Sequence, residues 1–545
     1  MRKETIASMQ EQGKKVVLWD VTKGCNLRCV HCYNYDKYAA PNCTTGTDLT
    51  PNEALETVRK IADFGFEQIH FLGGEPLFRK DILEIFAEAV KRGLRVTVNS
   101  NGTLITPAMA ERLVDVGVQQ MAISLDGPEP KSNDEIRGEG TFEKVRRGVE
   151  CLVQENERRG KPIHIGLVVT LTRPLLERET LLGDFFPLVY NWGIHWLNYI
   201  FLYKNSKALT YVDHLAYPMG QALSALEHVI VEMARAYPQI SLQLDSRPLY
   251  VKYLNLRHGV RAVVSPQGLK CSAGNKTWLL EADGLVHPCG VCSAPDYGLK
   301  ASEDGLFPFQ RINIKDVTAK DEVYHSEYFR SVRRFLSAAT NYRKFVTCQD
   351  CEFFSCCRPC LFYSPLGPVH NRETCIVEEC EWVKERLQQF YTNISSVVPQ
   401  VSEGVMSETI SDGKIRLQYI RGGRECRLSS TAASIWQLID DQRSVDAIIN
   451  QLAVFYYLPH DRTAVLTDVA DFLCVLRNNR FLKLHQPSSG NTVYRPLLFH
   501  QSILRNYVQV FPGQAFAQAG VEADLVDRRL FLGELQEAFE ILNIP

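Results

Sequence analysis

Cys25-Asn26-Leu27-Arg28-Cys29-Val30-His31-Cys32-Tyr33 is the stretch on which the reading of this chain turns. It follows Val16-Val17-Leu18-Trp19, an apolar run of strand character, and Gly24, which reads as a turn. Three thiols in one short loop can each take one iron of a cubane cluster, whose usual complement is four cysteine ligands. The local set stops at three, which leaves one iron open for another group. Zinc is the alternative, because it also takes thiolates, but a structural zinc site is closed by a fourth ligand. His31 is the one further ligand type inside the loop.

Working outward, Gln68-Ile69-His70-Phe71 reads as a second strand and runs into Leu72-Gly73-Gly74-Glu75-Pro76. Two glycines let a backbone approach a ligand closely, and Glu75 adds negative charge. Val96-Thr97-Val98-Asn99-Ser100-Asn101-Gly102 is an alternating strand with a polar end, and Met121-Ala122-Ile123-Ser124-Leu125-Asp126-Gly127 is another. Ile136-Arg137-Gly138 and Thr141-Phe142 follow, then the strand Gly166-Leu167-Val168-Val169-Thr170. Between them, 51–64, 81–92, 107–116 and 141–158 carry apolar residues at helical spacing. Strand–helix alternation over 12–200 predicts parallel strands with right-handed crossovers, and ligands at their C-terminal ends. Each short motif alone reads equally well as a turn or a helix cap. Their order carries the argument.

That order, with Cys-x3-Cys-x2-Cys first, resembles the radical S-adenosylmethionine (SAM) superfamily. The resemblance implies an α/β fold, a partial (β/α)6 TIM-like barrel. It implies that Cys25, Cys29 and Cys32 hold a [4Fe–4S] cluster whose open iron chelates S-adenosyl-L-methionine. The backbone of Gly73, Gly74, Glu75 and Pro76 would meet the SAM amino group, with the Glu75 charge beside the ammonium. Asn99, Ser124 and Asp126 are the candidates for SAM binding at the next strands, the last two for ribose or carboxylate contacts. Arg137 would bind the carboxylate, and the adenine would pack at Val168. Reductive cleavage of SAM by such a cluster yields a 5′-deoxyadenosyl radical, and the electron comes from a donor such as flavodoxin or ferredoxin.

Composition agrees with a folded enzyme. The 545 residues leave room for roughly three to four domains. Hydrophobic residues at 45% and charged residues at 23% are ordinary globular values. Lys+Arg at 61 against Asp+Glu at 63 gives no basic excess for nucleic acid. Residues 188–202, the most apolar stretch, are interrupted by Asn191, His195 and Asn198 and read as a buried strand rather than a membrane span. The opening Met1-Arg2-Lys3-Glu4-Thr5-Ile6 lacks the apolar stretch of a signal peptide, so a cytoplasmic protein is expected.

Seventeen cysteines are the unusual count, and an odd number cannot pair completely within one chain. In a reducing compartment clustered cysteines are metal ligands or catalytic groups rather than disulfides. Ten of them fall within 271–380: Cys271, Cys289, Cys292, Cys348, Cys351, Cys356, Cys357, Cys360, Cys375 and Cys380. Gly284-x4-Cys289, Cys348-x2-Cys351 and Cys356-Cys357-x2-Cys360 resemble, in order, the SPASM domain of peptide-modifying radical SAM enzymes. That resemblance implies one or two auxiliary [4Fe–4S] clusters. One would use Cys271, Cys289 and Cys360. The other would use Cys348, Cys351, one of Cys356 and Cys357, and Cys375 or Cys380. Cys292 is an extra candidate for the first. The spacing departs from the family: x5 then x3 after Cys351 cannot be met by either member of the Cys356/Cys357 pair. A treble-clef or ribbon zinc site is the alternative for this region. Cys43, Cys151, Cys426 and Cys474 stand alone and read as small buried hydrophobes.

Past Cys380, a helix around Trp382 leads to a linker-like stretch at 393–404. Residues 405–410 and 415–419 then read as strands of a hairpin around Asp412-Gly413. Three amphipathic helices follow, carried by Ala432, Ile435, Trp436 and Ile439, by Val445, Ile448, Ile449 and Leu452, and by Val465, Val469, Phe472, Leu473 and Leu476, with Ser444 and Asp461 as N-caps. This pattern, with 428–436, is similar to the PqqD-like peptide-recognition element, a winged-helix-like α+β domain on whose sheet edge a leader peptide adds as a strand. A winged-helix DNA reader shares the pattern and is the alternative.

The expected organisation is a barrel at 12–235, a cluster region with connecting helices at 236–395, a peptide-recognition domain at 401–485, and an unassigned extension at 486–545. The three modules together imply a radical SAM maturase of a ribosomally made precursor peptide, with an oxidative cross-link as the first expectation. Alternatives are peptide epimerisation or backbone excision, a sulfatase-maturase-like enzyme acting on a protein, and a non-catalytic metal-binding regulator with a winged-helix reader. Neither nucleic acid nor a membrane is an expected partner.

Overall fold

The computed structural model describes residues 15–32, 48–160, 163–202, 213–215, 217–244, 248–260, 262–264, 271–290, 310–337, 373–410, 413–420, 424–456, 462–485 and 542–543. Its centre is one sheet. β1 (Val16–Asp20), β2 (Gln68–Leu72), β3 (Arg95–Ser100), β4 (Gln120–Ser124), β5 (His164–Leu171) and β6 (Trp196–Phe201) pair in chain order, all parallel. These six strands are the partial barrel expected from the sequence. Their runs of buried Val, Ile and Leu suit a sheet covered by helices.

Two features extend that expectation. β7 (Ser241–Leu244) and β8 (Ala262–Val264) continue the parallel sheet past residue 235, where connecting helices alone were expected. On the far side, β9 (Thr277–Leu280) pairs parallel with β1, and β10 (Val286–His287) pairs antiparallel with β9. Among the described residues no ladder joins β8 to β1, so the sheet is open. The stretch 188–202 is not one strand. Its first part completes the helix Glu179–Asn191, the chain turns at Trp192-Gly193, and β6 begins at Trp196. Apolar content was right, but a run that changes from helix to strand has no single period.

The crossover helices have local causes. Pro51–Asp63 starts with a capping box, Thr50 with Glu53, and buries Ala54, Val58 and Ile61. Pro107–Asp115 is capped by Thr106, and Thr141–Arg159 buries Phe142, Val145, Val149 and Leu152. All pack on the sheet in one continuous core.

The long helix Glu373–Ile394 packs against the helices Met219–Ala236 and Pro248–His258. Its Trp382 ring lies edge-on to Tyr250 and Tyr253, at 5.6 and 5.5 Å, and its Nε1 donates to Ser224 Oγ at 3.0 Å. Beyond it, β11 (Val398–Val401), β12 (Val405–Thr409), β13 (Ile415–Tyr419) and β14 (Arg424–Leu428) precede the helices Ser430–Gln437, Val445–Tyr456 and Arg462–Asn478, then β15 (Leu482–His485). β12, β13 and β14 form an antiparallel meander, and β11 pairs with β15. Of the expected apolar faces, Ala432, Ile435, Trp436, Val445, Ile448, Ile449, Leu452, Val469, Phe472, Leu473 and Leu476 are buried and Ile439 is partly buried, and Ser444 Oγ accepts from Ala447 N, as an N-cap does. Asp412 and Asp461 lie outside the described residues. The unit docks on the barrel side through Lys252 Nζ, 2.5 Å from Asp471 Oδ2, and through Arg477 Nη2, which donates to Asn255 O and Leu256 O. A two-residue strand, β16 (Leu542–Asn543), adds antiparallel to β14. No helix among the described residues is long and apolar enough to cross a membrane.

Candidate functional site

The cysteine loop leaves the C-terminal end of β1 and is built against the turn that follows β2. Gly74 N donates to Thr22 O at 2.9 Å, and Glu75 N to Gly24 O at 2.8 Å. A Cβ on Gly74 would lie 2.1 Å from Gly24 O, and one on Gly73, whose φ is +120°, would lie 2.6 Å from Thr22 O. The two glycines therefore admit the backbone of the cysteine loop itself. Thr22 Oγ1 donates to Asp48 Oδ2 at 2.6 Å, and Arg79 donates to Val21 O at 2.9 Å and Leu49 O at 2.8 Å. Arg79 and Asp48 were not among the residues expected to matter. Side chains that brace a remote loop, Arg79 by donating to its carbonyls and Asp48 by accepting from Thr22 and Lys23, have no sequence signature.

Cys25 and Cys32 are partly exposed and Cys29 is buried, and none of the three is in a disulfide. Burial pushes the Cys25 thiol up, against the pull of the Leu27 N–H, which donates to its sulfur at 3.4 Å. Burial also pushes Cys29 up, while the Arg137 guanidinium, with Nη1 4.0 Å from Cys29 Sγ, works the other way. Such thiols release protons when they bind metal. Among the described residues no three His, Cys, Asp or Glu side chains converge on a single-ion position. A cubane gives each thiolate its own iron, so its ligands are held apart rather than on one point. Three thiols in one loop, with a cation beside the buried one, fit that group.

The SAM-binding candidates gather at the same end of the sheet, and two of them, Glu75 and Asp126, are held by buried protein partners. The Glu75 carboxylate is 1% exposed and is taken by three donors: Leu77 N at 3.1 Å, Ser100 Oγ at 2.8 Å and Asn101 N at 2.7 Å. It ties the ends of β2 and β3 together. Burial pushes its carboxyl up to about 7, although the three donors pull it down. Asp126, expected to touch ribose or carboxylate, is also 1% exposed. Its Oδ1 accepts from Thr170 N at 2.8 Å, and its Oδ2 lies 2.6 Å from Arg137 Nε and 2.8 Å from His31 Nε2. A buried carboxylate keeps its charge only with such partners. The same contacts turn His31 away from the role of loop ligand and occupy one edge of the Arg137 guanidinium.

Ser124 and Val168 are opposite each other in the β4–β5 register, both half-buried, with Asn198 next in line on β6. Asn99 Oδ1 lies 2.9 Å from His70 Nε2, and Thr97 Oγ1 lies 2.8 Å from His70 Nδ1. Burial lowers the His70 pKa to about 4, so the ring is neutral near pH 7. His70 was read from the sequence only as part of a strand. Alternation alone does not say which polar strand residue meets another.

Of the later cysteines, Cys271 and Cys289 come together: Gly274 N donates to Pro288 O at 2.8 Å, and burial and the neighbouring Cys289 push the Cys271 thiol up to about 11, although that residue as a whole is exposed. Cys380 is buried on the helix Glu373–Ile394, in which Cys375 lies about 140° round the axis. Cys292, Cys348, Cys351, Cys356, Cys357 and Cys360 lie outside the described residues, as does Cys43. Burial pushes Cys426 and Cys474 up to about 12, which suits small core hydrophobes.

Comparison with known proteins agrees with this geometry. Residues 19–179 match the Radical SAM superfamily, and residues 416–482 match coenzyme PQQ synthesis protein D (PqqD). The chain is a radical SAM superfamily enzyme that also carries a PqqD domain. It is 28% identical over 320 residues to an AdoMet-dependent heme synthase of Methanosarcina barkeri, across 58% of this chain and 84% of that one. It is 25% identical over 345 residues to mycofactocin maturase MftC of Mycolicibacterium smegmatis, across 62% and 76%. The structure of anSMEcpe with bound AdoMet shares the fold, with a TM-score of 0.50 at 15% identity over 69% of this chain and 93% of that one.

Proposed function

We propose that this chain modifies a ribosomally made precursor peptide by radical SAM chemistry, with an oxidative cross-link as the product. The observation that carries the reading is the presence, in one chain, of a radical SAM segment at 19–179 and a PqqD segment at 416–482, the latter packed on the helix Pro248–His258 that follows β7. With cluster and SAM bound, the site supplies one-electron cleavage of the sulfonium bond and a 5′-deoxyadenosyl radical. The chain's own residues position and shield that chemistry. In this reading Cys25, Cys29 and Cys32 are the ligands. Gly73 and Gly74 let the loop close on the turn, Glu75 braces it from behind, and Asp126 orients Arg137 beside Cys29. Asn99, Ser124 and Val168 line the ends of β3, β4 and the middle of β5, where SAM would lie. The PqqD domain would take the leader, and the 271–380 cysteines would hold one or two auxiliary [4Fe–4S] clusters. A cytoplasmic setting with a flavodoxin or ferredoxin as donor completes the proposal.

The test is anaerobic reconstitution. The reduced chain should yield 5′-deoxyadenosine, and Cys25→Ala, Cys29→Ala and Cys32→Ala should each abolish it. Retained cleavage in any of the three would refute the ligand assignment. Roughly eight to twelve irons per chain, with matching acid-labile sulfide, would support the auxiliary clusters; zinc without sulfide would overturn them. Co-expression with each short reading frame found in a search of the neighbouring genes should identify one peptide whose mass falls by two hydrogens. An unchanged mass would indicate epimerisation, and a larger loss excision.

The heme-synthase relatives favour a second reading, a tetrapyrrole substrate. It would be supported by turnover of a porphyrin and by product formation that survives disruption of the PqqD domain.

A further inference from the structure

We infer that the N-terminal end of the barrel's concave face is an anion site built around Arg95, and that it takes a carboxylate of the precursor peptide. The inference rests on the peptide-modification reading above and names a group the substrate must carry. The concave face is found by alternation. Phe71 packs edge-on to Phe86 at 4.7 Å and Tyr199 Oη donates to Leu182 O at 2.7 Å, so these two strand positions face the helices. Residues of the opposite parity face the lumen. At the N-terminal ends of the strands they are Gln68, Arg95, Gln120, His164, Trp196 and Ser241. A barrel interior is ordinarily filled by Val, Ile and Leu. This layer is polar instead, and every member but Trp196 keeps some exposure.

Arg95 and Trp196 reach over the layer from two sides. Arg95 extends from β3 to β4, where its Nη2 donates to Gln120 Oε1 at 3.3 Å. Trp196 leans from β6 over β5, because Gly166 has no side chain there: a Cβ on it would lie 2.0 Å from the indole. The indole stacks on the His164 ring at 6.3 Å. Two donors are left over. Arg95 Nε and Trp196 Nε1 are buried without a hydrogen-bond partner among the described residues, and Trp196 is 2% exposed. Among the described residues no carboxylate pairs with Arg95. Burial, the His195 ring and the Arg95 charge lower His164 to about 4, so that ring is neutral near pH 7 and Arg95 carries the positive charge. Buried donors are ordinarily paired, and charges more strictly so. A carboxylate supplies what both groups lack, a negative charge and two acceptor oxygens. In a ribosomally made peptide the carboxylates are those of Asp, Glu and the C-terminus. Asn99, at the end of β3 where SAM would lie, is four residues on from Arg95, a separation of roughly 13 Å. The anchored carboxylate and the modified residue then lie roughly three to five positions apart in an extended peptide.

The experiment uses the reconstituted, oxidised chain carrying nitrogen-labelled tryptophan. The first probe is propionate, with propionamide as its uncharged match at equal ionic strength. Propionate should move the Trp196 indole N–H resonance downfield and saturably, that resonance being assigned by its loss in Trp196→Phe. Arg95→Gln should weaken this binding roughly tenfold or more, as loss of a charge-assisted pair does, and Arg95→Lys should weaken it less. The other indole resonances report that each variant is folded. No movement with propionate, equal movement with propionamide, or equal binding by Arg95→Gln overturns the anion site. The second probe is the peptide found modified on co-expression. Replacing its acidic residue at the expected spacing by the amide should raise KM roughly tenfold with kcat little changed, and should cost nothing further in Arg95→Gln. An unchanged KM for every Asp, Glu and C-terminal amide replacement overturns the peptide carboxylate even where propionate binds. Failure of every peptide to be modified overturns the reading on which the inference rests, while the propionate titration still decides the anion site.

Discussion

Asp126 Oδ2 lies 2.6 Å from Arg137 Nε, and both side chains are buried at the end of the sheet where the cysteine loop sits. The pair joins the end of β4 to the end of the helix Pro130–Arg137, and one residue earlier Ile136 O accepts from Val30 N of the loop at 3.0 Å. The ion pair therefore carries the position of Cys29 as well as its charge. Burial works against the Asp126 charge, yet Arg137, His31 and the Thr170 N–H together hold its carboxyl well below the usual carboxylate range.

Asp126→Asn should leave the buried Arg137 without its counter-charge. Breaking a buried pair in this way costs about 3–5 kcal/mol. Urea unfolding of the cluster-free chain measures it, and a loss below about 1 kcal/mol would show that Arg137 finds another partner.

Gly74→Ala should disturb the cysteine loop more than the fold, because its Cβ would meet Gly24 O at 2.1 Å, a backbone atom that cannot turn aside. Iron incorporation should fall several-fold while the far-ultraviolet circular dichroism is retained. Gly65→Ala is the control. Its φ of +73° carries strain of about 1 kcal/mol, but nothing lies within 4 Å of the added methyl. Equal iron content in the two variants would sink the role given to Gly74.

Acid should destabilise the chain through its neutral histidines. Burial lowers His70 and His164 to about 4, and the neighbouring His195 ring also acts on His164. These groups bind fewer protons folded than unfolded, so their stabilisation is whole above pH 6.5 and is lost as pH falls from about 6.5 to about 4. For half-buried His70 the drop from 6.5 to about 4 corresponds to at most about 3 kcal/mol. His70→Gln should flatten this acid limb in denaturant midpoints measured at pH 7, 5.5 and 4.5. A limb as steep as the parent's would remove His70 from the cause.

Asp471→Asn should loosen the PqqD domain from the barrel side. Asp471 is 2.5 Å from Lys252 Nζ and accepts from Tyr391 Oη at 2.6 Å, so one half-buried carboxylate joins three elements. A cost of about 1–2 kcal/mol is expected, with faster hydrogen exchange in the helix Pro248–His258. Exchange unchanged there would mean that Arg477, which donates to the last carbonyls of that helix, carries the contact alone.

Much of this architecture is visible in the amino-acid order. The strand–helix alternation, the capped helices and the apolar faces of 430–478 are local patterns of period and cap, and the structure realises them within a residue or two. β7, β8 and the change from helix to strand inside 188–202 were less visible. Strands of three or four residues carry too few positions to show a period, and two periods joined in one apolar run look like neither.

The sequence by itself determined that three thiols lie at the end of a first strand, that four more strand ends follow it in order, and that a small α+β unit comes later, because spacing along the chain is enough to set these. Only the tertiary structure decided that Glu75 and Asp126 face inward, that Gly73 and Gly74 make room for the cysteine loop, and that β16 lies on β14. Each of those facts is a contact between segments remote in the chain, and the desolvation of a buried charge or the closeness of two backbones is fixed only when those segments meet.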